Sequence, residues 1–433
     1  MSTTSLPAYA ASFARIPSYS AEPQEFEQRL ALNRPPRRPV GDFVKQSRGG
    51  NVSLRLFSQE DNVSLPVYGY GAAVEGTVNL SKTDGVSAVE VKIEGSLRIR
   101  EVAEGGTTTH KLCLSKVTLW SKDVDEEPCP HSLKFSLTLP TTFSDGKDTY
   151  PLPPTHDVHL SGVPGFNATI EYGVSATVVK GKASALLRIG NSRRLMITDN
   201  STVSTPFIYY PRSRPALPLP ESMSLDTLFS IDSPDWRCWE SSMKARLKGG
   251  KDIHCQLYMP ASRVFSIAQP IPFHIMFSSS ALSLAAYLPY GPTANILAPN
   301  KQFTHLRVIR QSVVDVRNAI VLGTKTDMWR VDVIGEAEFR HSGDGPDWLA
   351  FAGEITIDEQ VKVGGFKASG LTVKDFIELS MMPPDPPKAP FTQMRLVIPI
   401  RLTTDPWSMD DFVLAVAEAD LSSPSTPAAA EPQ

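Results

Sequence analysis

His156 and His159, in the run His156-Asp157-Val158-His159, come nearest in this sequence to the residue types that bind metals or move protons. Imidazoles and a carboxylate are donors that zinc accepts, but a zinc site needs three or four ligands at ordered spacing, and no further ligand stands nearby in sequence. Set beside Pro151, Pro153 and Pro154, the pair reads as surface loop. Gly69-Tyr70-Gly71 opens as a phosphate-binding glycine loop would, yet the residues after it read as strand and provide no helix N-terminus for an anion. The chain contains no H-E-x-x-H, no G-x-S-x-G and no G-x-x-x-x-G-K-S/T. The expectation is a protein that is not an enzyme, with no catalytic residue, no metal and no cofactor. Trp236 and Trp239 read as packing anchors or an interdomain contact, since nothing around them in sequence completes a ligand cage.

The four cysteines, Cys113, Cys129, Cys238 and Cys255, show neither C-x-x-C spacing nor a regular framework, as expected of free thiols in a reducing compartment. The first ten residues lack a basic start and an apolar core, and no run of 18 apolar residues occurs, so neither secretion nor membrane spanning is expected. The N-x-S/T sequons at Asn51, Asn62, Asn79, Asn167 and Asn200 are then chance matches and not glycan sites. A formal net charge of -3 argues against a protein whose task is to neutralise a phosphate backbone, which excludes nucleic acid as the expected partner.

The elements that carry these residues are mostly strands. At 433 residues the chain has room for two cores at roughly 150 residues per domain. Its 37 prolines must lie in turns, edges and linkers, because proline breaks helix interiors and central strands. Apolar residues recur with period two in Leu133-Phe135-Leu137-Leu139, in Val89-Val91-Ile93 and in Ile170-Tyr172-Val174-Ala176-Val178, the sign of strands with one buried face. The same alternation returns in Ile253-Cys255-Leu257, Ile271-Phe273-Ile275-Phe277, Val331-Val333 with Ala337-Phe339, and Leu396-Ile398-Ile400-Leu402. Phe303 to Arg317 is assigned to strand and not helix on its β-branched content. The expected fold class is all-β, two tandem antiparallel immunoglobulin-like β-sandwiches at 51–210 and 235–405. Between them, 211–234 reads as a proline-rich extended linker, while 1–50 reads as a disordered arm and 406–433 as a tail.

Several landmarks in the first half occur together and in order: Val67-Tyr68-Gly69-Tyr70-Gly71-Ala72-Ala73-Val74-Glu75-Gly76-Thr77-Val78, Phe135-Ser136-Leu137-Thr138-Leu139-Pro140, Leu152-Pro153-Pro154-Thr155, and Ile170-Glu171-Tyr172-Gly173-Val174. This series resembles the N-terminal domain of the arrestin-like family, and most closely its fungal arrestin-related trafficking adaptors. Tyr70 stands where that family usually has proline, Ala72 where it has an acid, and Thr155-His156 depart from its usual Ser and aromatic. For the second half the likeness extends only to the tandem layout and the closing strand Arg395-Leu396-Val397-Ile398-Pro399-Ile400. The resemblance implies a cytoplasmic adaptor, recruited to plasma membrane or endosomes, that links the cytoplasmic tails of membrane proteins to a WW-domain ubiquitin ligase for endocytosis and sorting. The alternative is a non-enzymatic sorting-complex or scaffold subunit of the same fold that recruits no ligase.

Such adaptors engage WW domains through P-P-x-Y or L-P-x-Y, where an extended proline enters an aromatic groove and the tyrosine fixes register. Leu6-Pro7-Ala8-Tyr9 matches L-P-x-Y, and Ile16-Pro17-Ser18-Tyr19 departs from it by its isoleucine; no full P-P-x-Y occurs. Leu6, Pro7, Tyr9, Pro17 and Tyr19 are therefore the candidate ligase-docking residues, with Leu65-Pro66-Val67-Tyr68 a structural match inside the first strand pair. Arg34, Arg37, Arg38, Lys45 and Arg48 form a basic cluster that reads as solvated linker or as peripheral contact with anionic lipid. Met409-Asp410-Asp411-Phe412-Val413-Leu414 reads either as a docking peptide or as a strand pinning the tail to a domain.

Overall fold

The computed structural model describes residues 26–30, 41–60, 63–102, 106–163, 165–180, 200–221, 223, 233–293, 302–317 and 325–409. The first half of the chain forms β1 (Glu27–Leu30), β2 (Gly41–Gln46), β3 (Val52–Gln59), β4 (Val67–Tyr68), β5 (Ala73–Leu80), β6 (Val86–Glu101), β7 (Thr107–Ser121), β8 (Ser132–Thr138), β9 (Thr142–Ser144), β10 (Thr149–Pro151), β11 (His156–Leu160), β12 (Phe166–Lys180), β13 (Ser201–Tyr209) and β14 (Arg212–Pro215). The second half forms β15 (Trp236–Met243), β16 (Ile253–Pro260), β17 (Val264–Ser266), β18 (Ile271–Ser278), a short helix α1 (Ala281–Tyr287), then β19 (Thr304–Arg317), β20 (Lys325–Asp344), β21 (Trp348–Ile357), β22 (Phe366–Ala368), β23 (Leu371–Met381) and β24 (Met394–Thr403). The protein is all-β, built as two β-sandwiches in tandem.

In the first sandwich a six-stranded sheet, β4-β13-β12-β6-β7 with β11 also on β12, faces a four-stranded sheet, β2-β3-β5-β8. Alternation dictates which side chains meet. Along β12, Phe166, Ala168, Ile170, Tyr172, Val174, Ala176 and Val178 are all buried, while Asn167 and Glu171 between them face water. On β8 the buried residues are Leu133, Phe135 and Leu137, as the period-two pattern predicts. Each large apolar side chain so buried contributes roughly 1.5–3 kcal/mol. The aromatic centre of this core joins Tyr68, Tyr172, Phe207 and Tyr209 at ring separations of 5.1–5.8 Å.

The second sandwich is one ten-stranded sheet, ordered β15-β16-β18-β21-β20-β19-β23-β24-β17 with β22 on β23, curled until β15 lies against β24. Phe273 and Phe339 meet at 5.1 Å across Gly353, the residue paired with both of them in the ladder. A Cβ at Gly353 would stand 1.9 Å from the Glu338 carbonyl oxygen and 2.8 Å from the Phe273 ring. Gly353→Ala is therefore expected to destabilise the protein by about 1–3 kcal/mol through forced backbone and ring displacement, read as a lower urea midpoint. An unchanged midpoint would show that the strands do not approach this closely. Helix α1, which period-two reasoning did not foresee, caps its N-terminus with Ser280, whose hydroxyl accepts the Ser283 amide, and buries Tyr287 against Phe277.

Three expectations are corrected. Residues 1–50 are not wholly a disordered arm: β1 pairs with β14 and β2 pairs with β3. The linker 211–234 begins with strand β14, which holds β1 through Glu27↔Pro215 to Leu30↔Arg212. His156–His159 lie on strand β11, not in a loop, because Val158 enters the core and the backbone pairs with Ile170 to Phe166 of β12. The two cores also share strands. Val314, Met328, Leu371 and Val373, from β19, β20 and β23, belong to the buried cluster of the first sandwich.

Candidate binding groove and domain junction

A groove of about 960 Å³ runs along the outer face of the six-stranded sheet. Its origin is topological. β6 pairs with β12 over its whole length, whereas the other side of β12 is shared by β11, ending at His156↔Ile170, and β13, starting at Tyr172↔Phe207. The strands diverge at Glu171, and Thr155 closes the seam: its amide donates to the Tyr209 carbonyl at 3.0 Å and its hydroxyl accepts the Tyr209 amide at 2.9 Å. Small residues, Gly173, Ser175 and Ser204, line the groove and leave it open, and Lys92, Glu94 and Asp157 supply charge. Lys92 donates to Glu94 at 2.7 Å, which holds the Glu94 carboxyl below its ordinary range. Asp157 accepts the Thr169 hydroxyl at 2.7 Å. Mixed charge, small side chains and open access suit an extended polypeptide better than a small metabolite.

Beside the groove lies the junction of the two sandwiches. Arg310 of β19 and Asp375 of β23 sit on the buried phase of their strands, at 8% and 2% exposure. The Arg310 Nε donates to Asp375 Oδ1 at 2.7 Å, and its Nη2 donates to Asp375 Oδ2 at 3.1 Å and to the Val363 carbonyl at 2.7 Å. Against this pair rests His156 of β11, edge-on to Phe366 at 5.0 Å. Burial first, and the Arg310 charge second, push its imidazole down to about 4, so it is neutral near pH 7. Its Nε2 is buried with no hydrogen-bond partner among the described residues.

Further ties cross the junction. Arg212 of β14 donates from Nε to both oxygens of Asp405 at 3.1 and 3.0 Å, and from Nη2 to Oδ1. Arg401 of β24 donates to the buried Glu27 of β1 at 2.9 Å. Lys367 donates to the Tyr150 hydroxyl at 2.5 Å, and Arg330 donates to the His159 carbonyl. These are charge-assisted bonds, the strong class, and several are shielded from water.

The candidates named from sequence fall as follows. Leu6, Pro7, Tyr9, Pro17 and Tyr19 lie outside the described residues, as do Arg34, Arg37, Arg38 and the stretch from Asp410 to Leu414. Lys45 and Arg48 are described and exposed. Leu65-Pro66-Val67-Tyr68 enters β4, where Tyr68 is 3% exposed and serves packing. His156 and His159 stand three apart on one strand and so point to opposite faces; His159 instead contacts the Ser161 hydroxyl at 2.7 Å. Among the described residues no group of three His, Cys, Asp or Glu is placed to hold a metal ion. All four cysteines are free thiols, and burial raises Cys113 to about 11, far from a nucleophilic thiolate. Trp236 packs on His274 at 5.2 Å, while Arg237 lies 5.5 Å over the Trp239 ring.

Sequence reasoning missed the Arg310–Asp375 pair, although its signal is present. Leu306-Val308-Arg310-Ser312-Val314 and Leu371-Val373-Asp375-Ile377-Leu379 each place one charge on the apolar phase of a strand. Two opposite charges on buried phases have to find each other or remain unpaired at high cost. Among the described residues no helix is long and apolar enough to cross a membrane. No family model matches the chain, and no curated protein matches it.

Proposed function

We propose that this chain is a non-enzymatic adaptor of the arrestin type, which holds an extended segment of a membrane protein's cytoplasmic tail in the groove beside β11 and β13 and recruits a WW-domain ubiquitin ligase through its N-terminal arm. The observation that carries the proposal is the groove itself, open, lined by small residues and charges among apolar side chains such as Leu65, Pro206 and Ile208, and set at the divergence of two strands from β12. The charge-bonded junction supports it by fixing the two sandwiches as one platform. The ligase half rests on Leu6-Pro7-Ala8-Tyr9 and Ile16-Pro17-Ser18-Tyr19, two adjacent sites whose joint engagement gains from effective concentration. Exposed Lys45 and Arg48 suit transient contact with anionic lipid at the plasma membrane or endosomes.

The two halves separate experimentally by proximity labelling of the full chain in its native cell. Ser204→Arg fills the groove from an exposed position and is expected to reduce labelling of membrane proteins roughly tenfold, equivalent to about 1.4 kcal/mol, while ligase labelling stays. Tyr9→Ala with Tyr19→Ala is expected to do the opposite. If both variants keep both sets of neighbours, the adaptor proposal is abandoned.

A further inference from the structure

We infer that the chain self-associates through β20, with the segment Met328–Ile334 pairing antiparallel to the same segment of a second copy about a two-fold axis at Val331. Over the first part of β20 one side is occupied by β19, from Lys325↔Arg317 to Glu336↔Arg307. On the other side β21 pairs only from Gly335 onward, and the Asp358 amide closes the edge by donating to the Ile334 carbonyl at 2.8 Å. From Lys325 to Val333, no strand among the described residues lies against that side.

Two properties distinguish this edge. Trp329, Val331 and Val333 form an apolar row along one face of it, exposed by 44%, 46% and 50%. Proteins that keep strand edges solitary place lysine or proline there. The edge strand β7 carries Lys111 and Lys116, and the edge strand β2 carries Lys45. On this edge the one lysine, Lys325, stands at its far end, and the central Trp329-Arg330-Val331-Asp332-Val333 carries neither lysine nor proline, its two charges being of opposite sign.

The sequence of the edge is also complementary to itself. Antiparallel pairing centred on Val331 sets Trp329 opposite Val333 of the second copy, Val331 opposite its own equivalent, and Arg330 opposite Asp332. The apolar row then continues across both copies on one face, and two Arg–Asp pairs form on the other. Within one copy Arg330 donates from Nε to Asp332 at 2.8 Å while its Nη1 holds the His159 carbonyl across the junction, so Arg330→Asp also removes that tie and the charge-swapped double variant is the arm that isolates the pairing between copies. Such an isologous contact closes on itself and yields a dimer, not a fibre.

Sedimentation or light scattering of the full chain is expected to give twice the mass of 47.3 kDa at micromolar concentration. Arg330→Asp places carboxylates opposite one another and is expected to give monomer. Adding Asp332→Arg to it restores complementarity and is expected to restore the dimer, which a merely misfolded variant would not do. Val331→Cys is expected to crosslink copies under mild oxidation, because a residue at the axis lies about 4.5–5.5 Å from its own equivalent. Val333→Cys is expected not to, its equivalents lying about 14 Å apart. A monomer at every concentration, a dimer indifferent to Arg330→Asp, or equal crosslinking from both cysteine variants overturns the inference. None of these outcomes bears on the groove or the arm, so the adaptor proposal stands or falls separately.

Discussion

Asp375→Ala is expected to lower the stability of the protein by about 3–5 kcal/mol, because it leaves the buried Arg310 guanidinium without the carboxylate that takes two of its hydrogen bonds. The loss comes from the charge left behind and not from the attraction removed. Replacing both partners together, Arg310→Met with Asp375→Leu, removes the charge and its counter-charge, and is expected to recover most of that loss. Urea unfolding of the single and double variants measures the difference. A single variant that loses less than about 1 kcal/mol would place Arg310 in contact with water and remove the junction's electrostatic rationale.

The second large effect is with pH. His156 titrates at about 4 in the folded protein against an ordinary value of 6.5. Between those values the unfolded chain binds the proton and the folded one does not, so stability rises with pH across this window. The contribution is complete above about pH 6.5 and is lost as pH falls toward 4, amounting to about 3 kcal/mol. The charged groups facing the imidazole are Arg310, which opposes protonation, and Asp157 and Asp375, which favour it without overcoming burial. Urea midpoints taken from pH 7 down to pH 4.5 are expected to fall for the native chain and to fall far less for His156→Gln. Parallel curves for the two proteins would assign the acid sensitivity to other groups.

The fold was largely legible from alternation, and the reason is visible in β12 and β8. Where one face of a strand is buried along its length, the two-residue period survives in the sequence, and Ile170 through Val178 could be assigned without tertiary information. Thr304–Arg317 is legible as strand for a related reason, its β-branched residues. The pairing of β1 with β14 was not legible. Glu27-Gln28-Arg29-Leu30 and Arg212-Ser213-Arg214-Pro215 show no apolar period, and what holds them is polar: Arg214 to Gln28 at 2.9 Å and Arg401 to Glu27 at 2.9 Å. Contacts of that kind depend on partners about two or four hundred residues away, which no local window contains.

The site was legible only in part, for a similar reason. In the sequence the neighbouring prolines make His156 look like loop, yet those prolines precede β11 and line the junction while the strand begins immediately after Thr155. The groove depends on two strands sharing one side of β12, a matter of topology with no counterpart in any short motif. The buried ion pair left a trace in each strand, but pairing the traces required knowing that β19 and β23 are neighbours.

That Val314, Met328, Leu371 and Val373 complete the core of the first sandwich has a consequence for biosynthesis. A nascent chain has made every strand of the first sandwich's two sheets once Tyr209 emerges, but the apolar side chains that seal one end arrive only with residue 373. During the intervening elongation that end stays open to water, a transient apolar surface of the kind chaperones bind. The sandwich translated first is thus finished by side chains of β19, β20 and β23, and a stop codon placed between Tyr209 and Val314 would leave it unsealed.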